Sequence, residues 1–560
     1  QEHFPFRGFM SSVQHNITFG LGDVQTIDSL VVTWPDDRVT VMRDVRTNQR
    51  IDLRQSDATG VVVNPSGKQS TIFTPIELKG VDFTHAESDF VDFDRDPLLF
   101  NMISNEGPCL CTGDVNGDGL TDFYVGGAKN QAGSLFVQQP SGAYAKMGQR
   151  YFDADKDSED TDCVFFDANN DGRDDLYVTS GSNEFSSSAF ALLDRLYLNK
   201  GQGVFEPSKQ LLPSAVRFES TSAVDAADFD RDGDLDLFVG VRVIPGLYGV
   251  AGNGYLLRND GKGSFEDVTK ELAPALQNLG MIRDAVWADI NNDSLSDLIV
   301  AGDWMPIHVF INRQGALQRA DSSFGKSDGW YNAIKAVDLN GDGLTDLVAG
   351  NHGLNSRFKA SASTPLHLYI NDFDHNGSVE HITTRYYAGK SLPLVLRQDL
   401  VGQIPSLKKK YLHYESYKGQ AITDIFTPEQ MDRTLQLNAF LLETCAWINN
   451  GDGSFERKPL PIAAQLAPVS AIFVEDVDGD EKLDILLGGN LYRAKPETGI
   501  YDASYGVLLK GNGDGEFTTV DAGYSGLSVK GEIRSIKRIS DHPRIICIAR
   551  NNSNLEFYRY

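Results

Sequence analysis

The sequence predicts an all-β protein: a seven-bladed β-propeller of four-stranded antiparallel blades, with a small N-terminal β segment and a helical insertion. Three observations predict it. A nine-residue acidic stretch recurs six times, as DVNGDGLTD from Asp114, DANNDGRDD from Asp167, DFDRDGDLD from Asp228, DINNDSLSD from Asp289, DLNGDGLTD from Asp338 and DVDGDEKLD from Asp476. Each copy follows an alternating run such as DAVWADI and precedes a short apolar run such as LYVTSG or LIVAG, so each is a loop between two strands. Downstream of most copies lies a strand, a Gly/Asn turn and a second strand: LYLNKGQGVFE, YLLRNDGKGSFE, AWINNGDGSFE, VLLKGNGDGEF.

The unit is therefore a four-stranded meander. Its starts are 53, 61, 61, 49 and 138 residues apart, so the last interval spans two units or holds an insertion. One such sheet cannot bury both faces alone, and repeated meanders of this length pack around an axis as a propeller. At the C-terminal end EIRSIKRI, PRIICIAR and LEFYRY form three strands of a seventh blade without an acidic loop. Residues 76–86, IELKGVDFTHA, are expected to supply its fourth strand and close the ring. Within the long interval, residues 391–437 show helical spacing broken at Pro405 and Pro428, with a basic run at Lys408–Lys410. They read as a helical insertion.

Composition limits the function classes. Of 560 residues, 41% are hydrophobic and 10% aromatic, enough to bury a large core. A net charge of -27 opposes binding to a phosphate backbone, so nucleic acid is not expected as a partner. No apolar run reaches the length of a membrane-spanning helix. Five cysteines at irregular spacing read as buried free thiols rather than a disulfide framework.

The acidic loops carry the chemistry. Side chains at positions one, three, five and nine, with the backbone carbonyl at seven, follow the order of an EF-hand loop, and all-oxygen donors suit a hard cation, calcium. The predicted ligands are Asp114, Asn116, Asp118, Leu120 and Asp122; Asp167, Asn169, Asp171, Arg173 and Asp175; Asp228, Asp230, Asp232, Asp234 and Asp236. The later copies give Asp289, Asn291, Asp293, Leu295 and Asp297; Asp338, Asn340, Asp342, Leu344 and Asp346; Asp476, Asp478, Asp480, Lys482 and Asp484. A seventh run outside the blade rhythm, DFDHNGSVE, adds Asp372, Asp374, Asn376, Ser378 and Glu380. About six or seven calcium ions are expected. A single loop of this kind reads equally as a turn that binds nothing. Six copies at matching places, each crowding carboxylates that repel one another, read as metal loops. Ser294 and Glu481 replace the usual glycine and predict distorted loops.

The loops joining second to third strands gather on the opposite face and are long and varied, as function-bearing loops are. They bring Glu184, Phe185, Arg242, Tyr248, Trp304, Arg357, Tyr492 and Arg493 toward one rim, a mix of aromatics and planar cations suited to protein or glycan contact. For any one of them, packing of its loop onto a blade is the blander reading. His85 and Glu87 resemble an acid/base pair but sit where strand residues are structural.

The repeats resemble the FG-GAP/VCBS family, the calcium-binding propeller repeats also found in integrin α-subunit heads, over residues 76–560. Residues 17–56, with FGLG and VTWPDD, resemble the ASPIC/UnbV domain, Asp37 standing where glycine is usual. The division expected is 1–56 for this segment, 57–75 for a linker and 76–560 for the propeller. The resemblance implies an exported, lipid-anchored protein of the bacterial outer membrane, of which this chain is the C-terminal part. Its implied role is a calcium-stabilised surface module that binds an envelope or outer-membrane protein. Glycan binding, and a polysaccharide lyase or hydrolase activity, stand as alternatives, with no motif for catalysis in the sequence.

Overall fold

A computed structural model describes residues 10–12, 16–36, 38–58, 60–61, 71–320 and 324–560. The chain divides into two compact units at residue 70. In the first, Thr26–Thr33 pairs antiparallel with Arg38–Arg46, which pairs with Gly60–Val61. The Trp34 N–H donates to Arg38 O at 2.8 Å across the hairpin turn. Asp37, the departure from the family's turn, lies outside the described residues.

The second unit is the propeller. Its first blade pairs Leu110–Gly113, Asp122–Val125, Ser134–Gln138 and Tyr144–Met147 in order. Second, third and fourth blades repeat the meander from Glu159–Phe166, Ser220–Ala227 and Met281–Ala288, and a sixth runs from Val469–Glu475. The fifth joins Ala333–Val337 and Asp346–Gly350 to Cys445–Asn449 and Phe455–Pro459, so residues 351–444 are inserted between its second and third strands. The first strand of each blade packs on the first strand of the next, and that of the last, Glu532–Asp541, packs on Leu110–Gly113. The ring is closed.

Two expectations are corrected. The fourth strand of the last blade is Thr74–Ile76, not 76–86: Phe557 pairs with Ile76, Tyr558 with Pro75 and Arg559 with Thr74. The inserted segment is not purely helical and begins before 391. Leu366–Asn371, Glu380–Tyr387, Lys390–Pro393 and Leu435–Ala439 form a four-stranded sheet, and short helical turns fill only Arg397–Met431. The insertion buries its apolar face against the propeller: Leu366, Leu368, Ile382, Leu400 and Ile425 share one core with Leu98, Phe100, Met281 and Trp304.

Between blades the cores are apolar, as at Phe123, Tyr124, Phe136 and Tyr197, all fully buried. Along the axis a polar ladder replaces them. Asp162 accepts from Val224 N at 2.9 Å, Asp225 from Trp287 N at 2.9 Å and Asp284 from Ile334 N at 2.8 Å, each reaching from one blade's first strand to the next. All five cysteines are free and buried.

Candidate functional site

Every acidic loop joins the first strand of its blade to the second, so six lie on one face of the ring. DFDHNGSVE joins Leu366–Asn371 to Glu380–Tyr387 in the same way within the inserted sheet. All seven share one conformation. The fourth and sixth residues are left-handed, as at Gly117 (φ 74) and Gly119 (φ 79), or Asn292 (φ 60) and Ser294 (φ 67). The first aspartate accepts the sixth residue's N–H: Asp114 from Gly119 at 2.8 Å, Asp289 from Ser294 at 2.7 Å, Asp476 from Glu481 at 2.8 Å. The loops with Ser294 and Glu481 are therefore not distorted; those residues adopt the backbone that glycine adopts at lower cost.

Positions one, three and nine converge. Carboxylate oxygens of Asp228, Asp230 and Asp236, of Asp372, Asp374 and Glu380, and of Asp476, Asp478 and Asp484 lie within 4.8 Å of one another, and each set can hold a metal ion. These are the three loops with a carboxylate at position three. The other four place the amide of Asn116, Asn169, Asn291 or Asn340 there. Asp228 Oδ1, Asp374 Oδ1 and Glu380 Oε1 are buried acceptors without a protein partner, as expected of atoms that would meet a cation.

The fifth position behaves differently. Asp118 Oδ1 accepts from Leu120 N at 2.9 Å, Asp171 from Arg173 N at 3.2 Å, Asp232 from Asp234 N at 3.0 Å and Asp293 from Leu295 N at 2.9 Å. Asp342 accepts from Leu344 N at 2.8 Å, Asn376 from Ser378 N at 2.7 Å and Asp480 from Lys482 N at 3.1 Å. These are Asx turns that hold the seventh residue in place. At the last loop Lys510 Nζ lies 2.9 Å from Asp480 Oδ2 and also contacts Asp478, putting a protein cation among the carboxylates.

The ninth residue has a second task that the sequence reading missed. Asp175 Oδ2 accepts from Ala168 N at 3.0 Å while Oδ1 accepts from Asn199 N at 2.6 Å, tying loop to third strand. Asp122, Asp236, Asp297, Asp346 and Asp484 do the same. Burial pushes these acids up, Asp122 and Asp236 to about 7, Asp175 and Asp297 to about 6, with backbone hydrogen bonds opposing. The asparagine ending the third strand is the partner latch. Its Nδ2 donates to the second residue of the preceding blade's loop: Asn199 to Val115 O at 2.7 Å, Asn259 to Ala168 O at 2.8 Å, Asn312 to Phe229 O at 2.7 Å, Asn449 to Ile290 O at 2.8 Å. The signal was present in the sequence as an Asn at the same place in LYLN, LLRN, VFIN and AWIN.

On the opposite face the predicted ligand residues separate. Arg242, Tyr248 and Trp304 line one cavity of about 60 Å³ with Asn105, Arg283, Trp330, His352 and His381. Glu184 is buried in a 2.8 Å pair with Lys129, whose ammonium also lies over Phe185, so these two pack their loop. Arg357, Tyr492 and Arg493 do not line the cavity. Tyr492 donates its N–H to Glu532 and Arg493 O accepts from Met102 N. His85 is buried, its Nδ1 accepting from Asn552 N at 3.3 Å, and burial lowers it to about 3. Burial raises Glu87 to about 7, and Asn105 Nδ2 donates to it at 3.2 Å.

No curated protein matches the chain. Similar solved structures include the V. cholerae biofilm matrix protein Bap1, 11% identical with a TM-score of 0.37 over 87% of this chain and 91% of that one. YCF48 bound to D1 peptide is 8% identical with a TM-score of 0.38 over 86% and 99%, and the Dos1 propeller 9% identical with 0.36 over 82% and 93%. Residues 114–178, 179–239 and 289–349 match the FG-GAP-like repeat family, and residues 1–60 match the ASPIC and UnbV family. The chain is thus a β-propeller in which three stretches match FG-GAP-like repeats, with an ASPIC and UnbV match over residues 1–60.

Proposed function

We propose that this propeller is a calcium-stabilised protein-binding and assembly module of the bacterial cell surface, with an outer-membrane or other envelope protein as partner. The observation that carries the binding role is the surface of the insertion. Tyr387, Leu412 and Tyr414 are 63%, 65% and 55% exposed, and Arg385, Lys408 and Lys409 are exposed on the same inserted segment. Asp424 joins its two ends, its carboxylate 3.8 Å from Lys390 Nζ and its carbonyl accepting from Lys410 at 2.6 Å. Exposed tyrosines beside guanidinium and ammonium groups are the composition of interface centres, and this cationic patch on an acidic protein suits an acidic partner surface.

Calcium enters through the loops. Three converging sets of three carboxylates, within seven loops of one conformation, suit a hard cation of flexible coordination, calcium better than magnesium. Binding to the folded state alone raises stability. Chelation is expected to lower the melting temperature by many degrees, with calcium restoring it and magnesium restoring it poorly; an unchanged melting curve after verified metal depletion contradicts the reading. The binding role is tested by purifying the tagged chain from detergent-solubilised envelope in calcium, beside a Tyr387→Ser, Leu412→Ser, Tyr414→Ser variant. A stoichiometric envelope protein recovered with the parent and lost with the variant supports it. Recovery of the chain alone, or equal recovery with both, overturns it.

A further inference from the structure

The cavity on the face opposite the acidic loops lies where the second strands end, at Arg242 and at Asp303–Trp304, and where residues 98–106 cross the axis. Its polar atoms are unusual. Asn105 Oδ1, His352 Nε2, His381 Nδ1, Trp330 Nε1 and Arg534 Nε are buried without a protein partner, and all five residues line this one space. Folded proteins leave few such atoms, so five around one cavity point to something that belongs there.

The unpartnered set mixes donors and acceptors. The indole N–H of Trp330 and the guanidinium N–H of Arg534 can only donate. Asn105 Oδ1 can only accept. His381 Nε2 lies 2.7 Å from Asp96 Oδ2, so that nitrogen donates to the carboxylate, and in the uncharged imidazole Nδ1 is an acceptor. A carboxylate would satisfy only the donors and a metal ion only the acceptors. Hydroxyl groups satisfy both.

Charge and shape narrow the class further. Arg283 lies 2.9 Å from Glu106, and Arg242 contacts Glu106 and lies 3.3 Å from Asp303, so the ions in the wall already pair and a charged ligand gains little. Tyr248, Trp304 and Trp330 add apolar ring surface, the two indoles 5.0 Å apart edge to face. Trp304 (φ 58) and Asn490 (φ 85) hold left-handed backbone at the cavity wall, a strain that non-glycine residues keep where the surroundings impose it. A cavity of about 60 Å³ has room for about four water-sized groups, the hydroxyl edge of one sugar ring and no more.

We propose that this cavity binds the terminal residue of a neutral glycan, with adjacent hydroxyls donating to Asn105 and His381 and accepting from Trp330 and Arg534. This site is separate from the insertion surface and does not depend on its role. The test uses the whole chain in calcium with glucose, galactose, mannose, rhamnose and N-acetylglucosamine as probes, and glucuronate and galacturonate as charged controls. Binding is read by saturation-transfer NMR and tryptophan fluorescence. At least one neutral sugar is expected to bind with a Kd of about 1 mM, and Trp330→Phe and His352→Phe are each expected to weaken it about tenfold. His352→Phe keeps an aromatic ring and removes a nitrogen that has no internal partner, so its melting temperature is expected to equal or exceed the parent's, whereas Trp330→Phe also loses part of the indole packed on Trp304, His352 and Phe358. Absence of binding by every neutral sugar, binding of uronates alone, or unchanged affinity in both variants overturns the proposal. A lowered melting temperature in His352→Phe also overturns it, because that nitrogen would then be serving the fold rather than a ligand.

Discussion

Two residues show what the fold imposes on single positions. Glu481 holds φ at 66 in a place where four of the six blade loops have glycine, and its side chain is exposed, so the strain has no packing return. Glu481→Gly keeps the N–H that donates to Asp476 and is expected to stabilise the protein by about 1 kcal/mol in denaturant melts; an equal loss would show that the side chain matters more than the backbone. His352 is edge-on to Trp330, Phe358 and Tyr501. Burial lowers it from 6.5 to about 4, so between those values the unfolded chain takes up a proton that the folded one refuses. Its contribution to stability is present above pH 6.5 and is lost as pH falls toward 4, at about 1.4 kcal/mol per unit. His352→Phe is therefore expected to gain about 3 kcal/mol on the parent between pH 7 and pH 4, read as the difference between two pH-stability curves. A constant difference across that range would mean the imidazole is hydrated in the folded state.

At the scale of the element, the acidic loop is a joint as well as a metal loop. The third-strand asparagine links it to the preceding blade, and Asn449 shows the full set: Nδ2 donates to Ile290 O at 2.8 Å and to Thr345 O at 3.1 Å, while Oδ1 accepts from Gly451 N at 2.9 Å. Asn449→Ala removes the donor to the buried Ile290 carbonyl and to the half-buried Thr345 carbonyl and is expected to cost about 2 kcal/mol with or without calcium. A loss seen only in the metal-bound protein would place its effect on the ion instead. Loops and meanders were legible in the sequence because their constraints are local: left-handed positions select Gly and Asn, and alternation marks the strands. The strand Thr74–Ile76 was not legible. It is three residues long and contains Pro75, which reads as a break, yet at the outer edge of the last blade no further strand needs its missing N–H. The strands of the insertion were hidden for another reason: the sheet is split, its last strand Leu435–Ala439 returning after five short helical turns.

Over the whole molecule, the cavity was the least legible feature. The loops that predicted it supplied Arg242, Tyr248 and Trp304, but Asn105, His352, His381 and Arg534 reach it only because the ring brings distant segments to one axis. Closure is the property that assembles the site, and it rests on one short strand. A chain starting at Glu77 lacks the partner of Phe557 to Arg559 and is expected to melt at a lower temperature than one starting at Thr71, with the last blade losing amide protection first. Equal melting would show that the packing of the first strands around the axis holds the ring without it. The pairing of Ile76 with Phe557 also bears on how the protein is made. Neighbouring blades can form in turn as the chain emerges from the ribosome, but the seam waits until Phe557, 481 residues after Ile76, has been synthesised and then pays the entropy of joining that whole length at once. Until that moment the growing molecule presents an unpaired edge on each side of the gap, which makes the open ring, rather than the finished one, the species most exposed to chaperones and to aggregation.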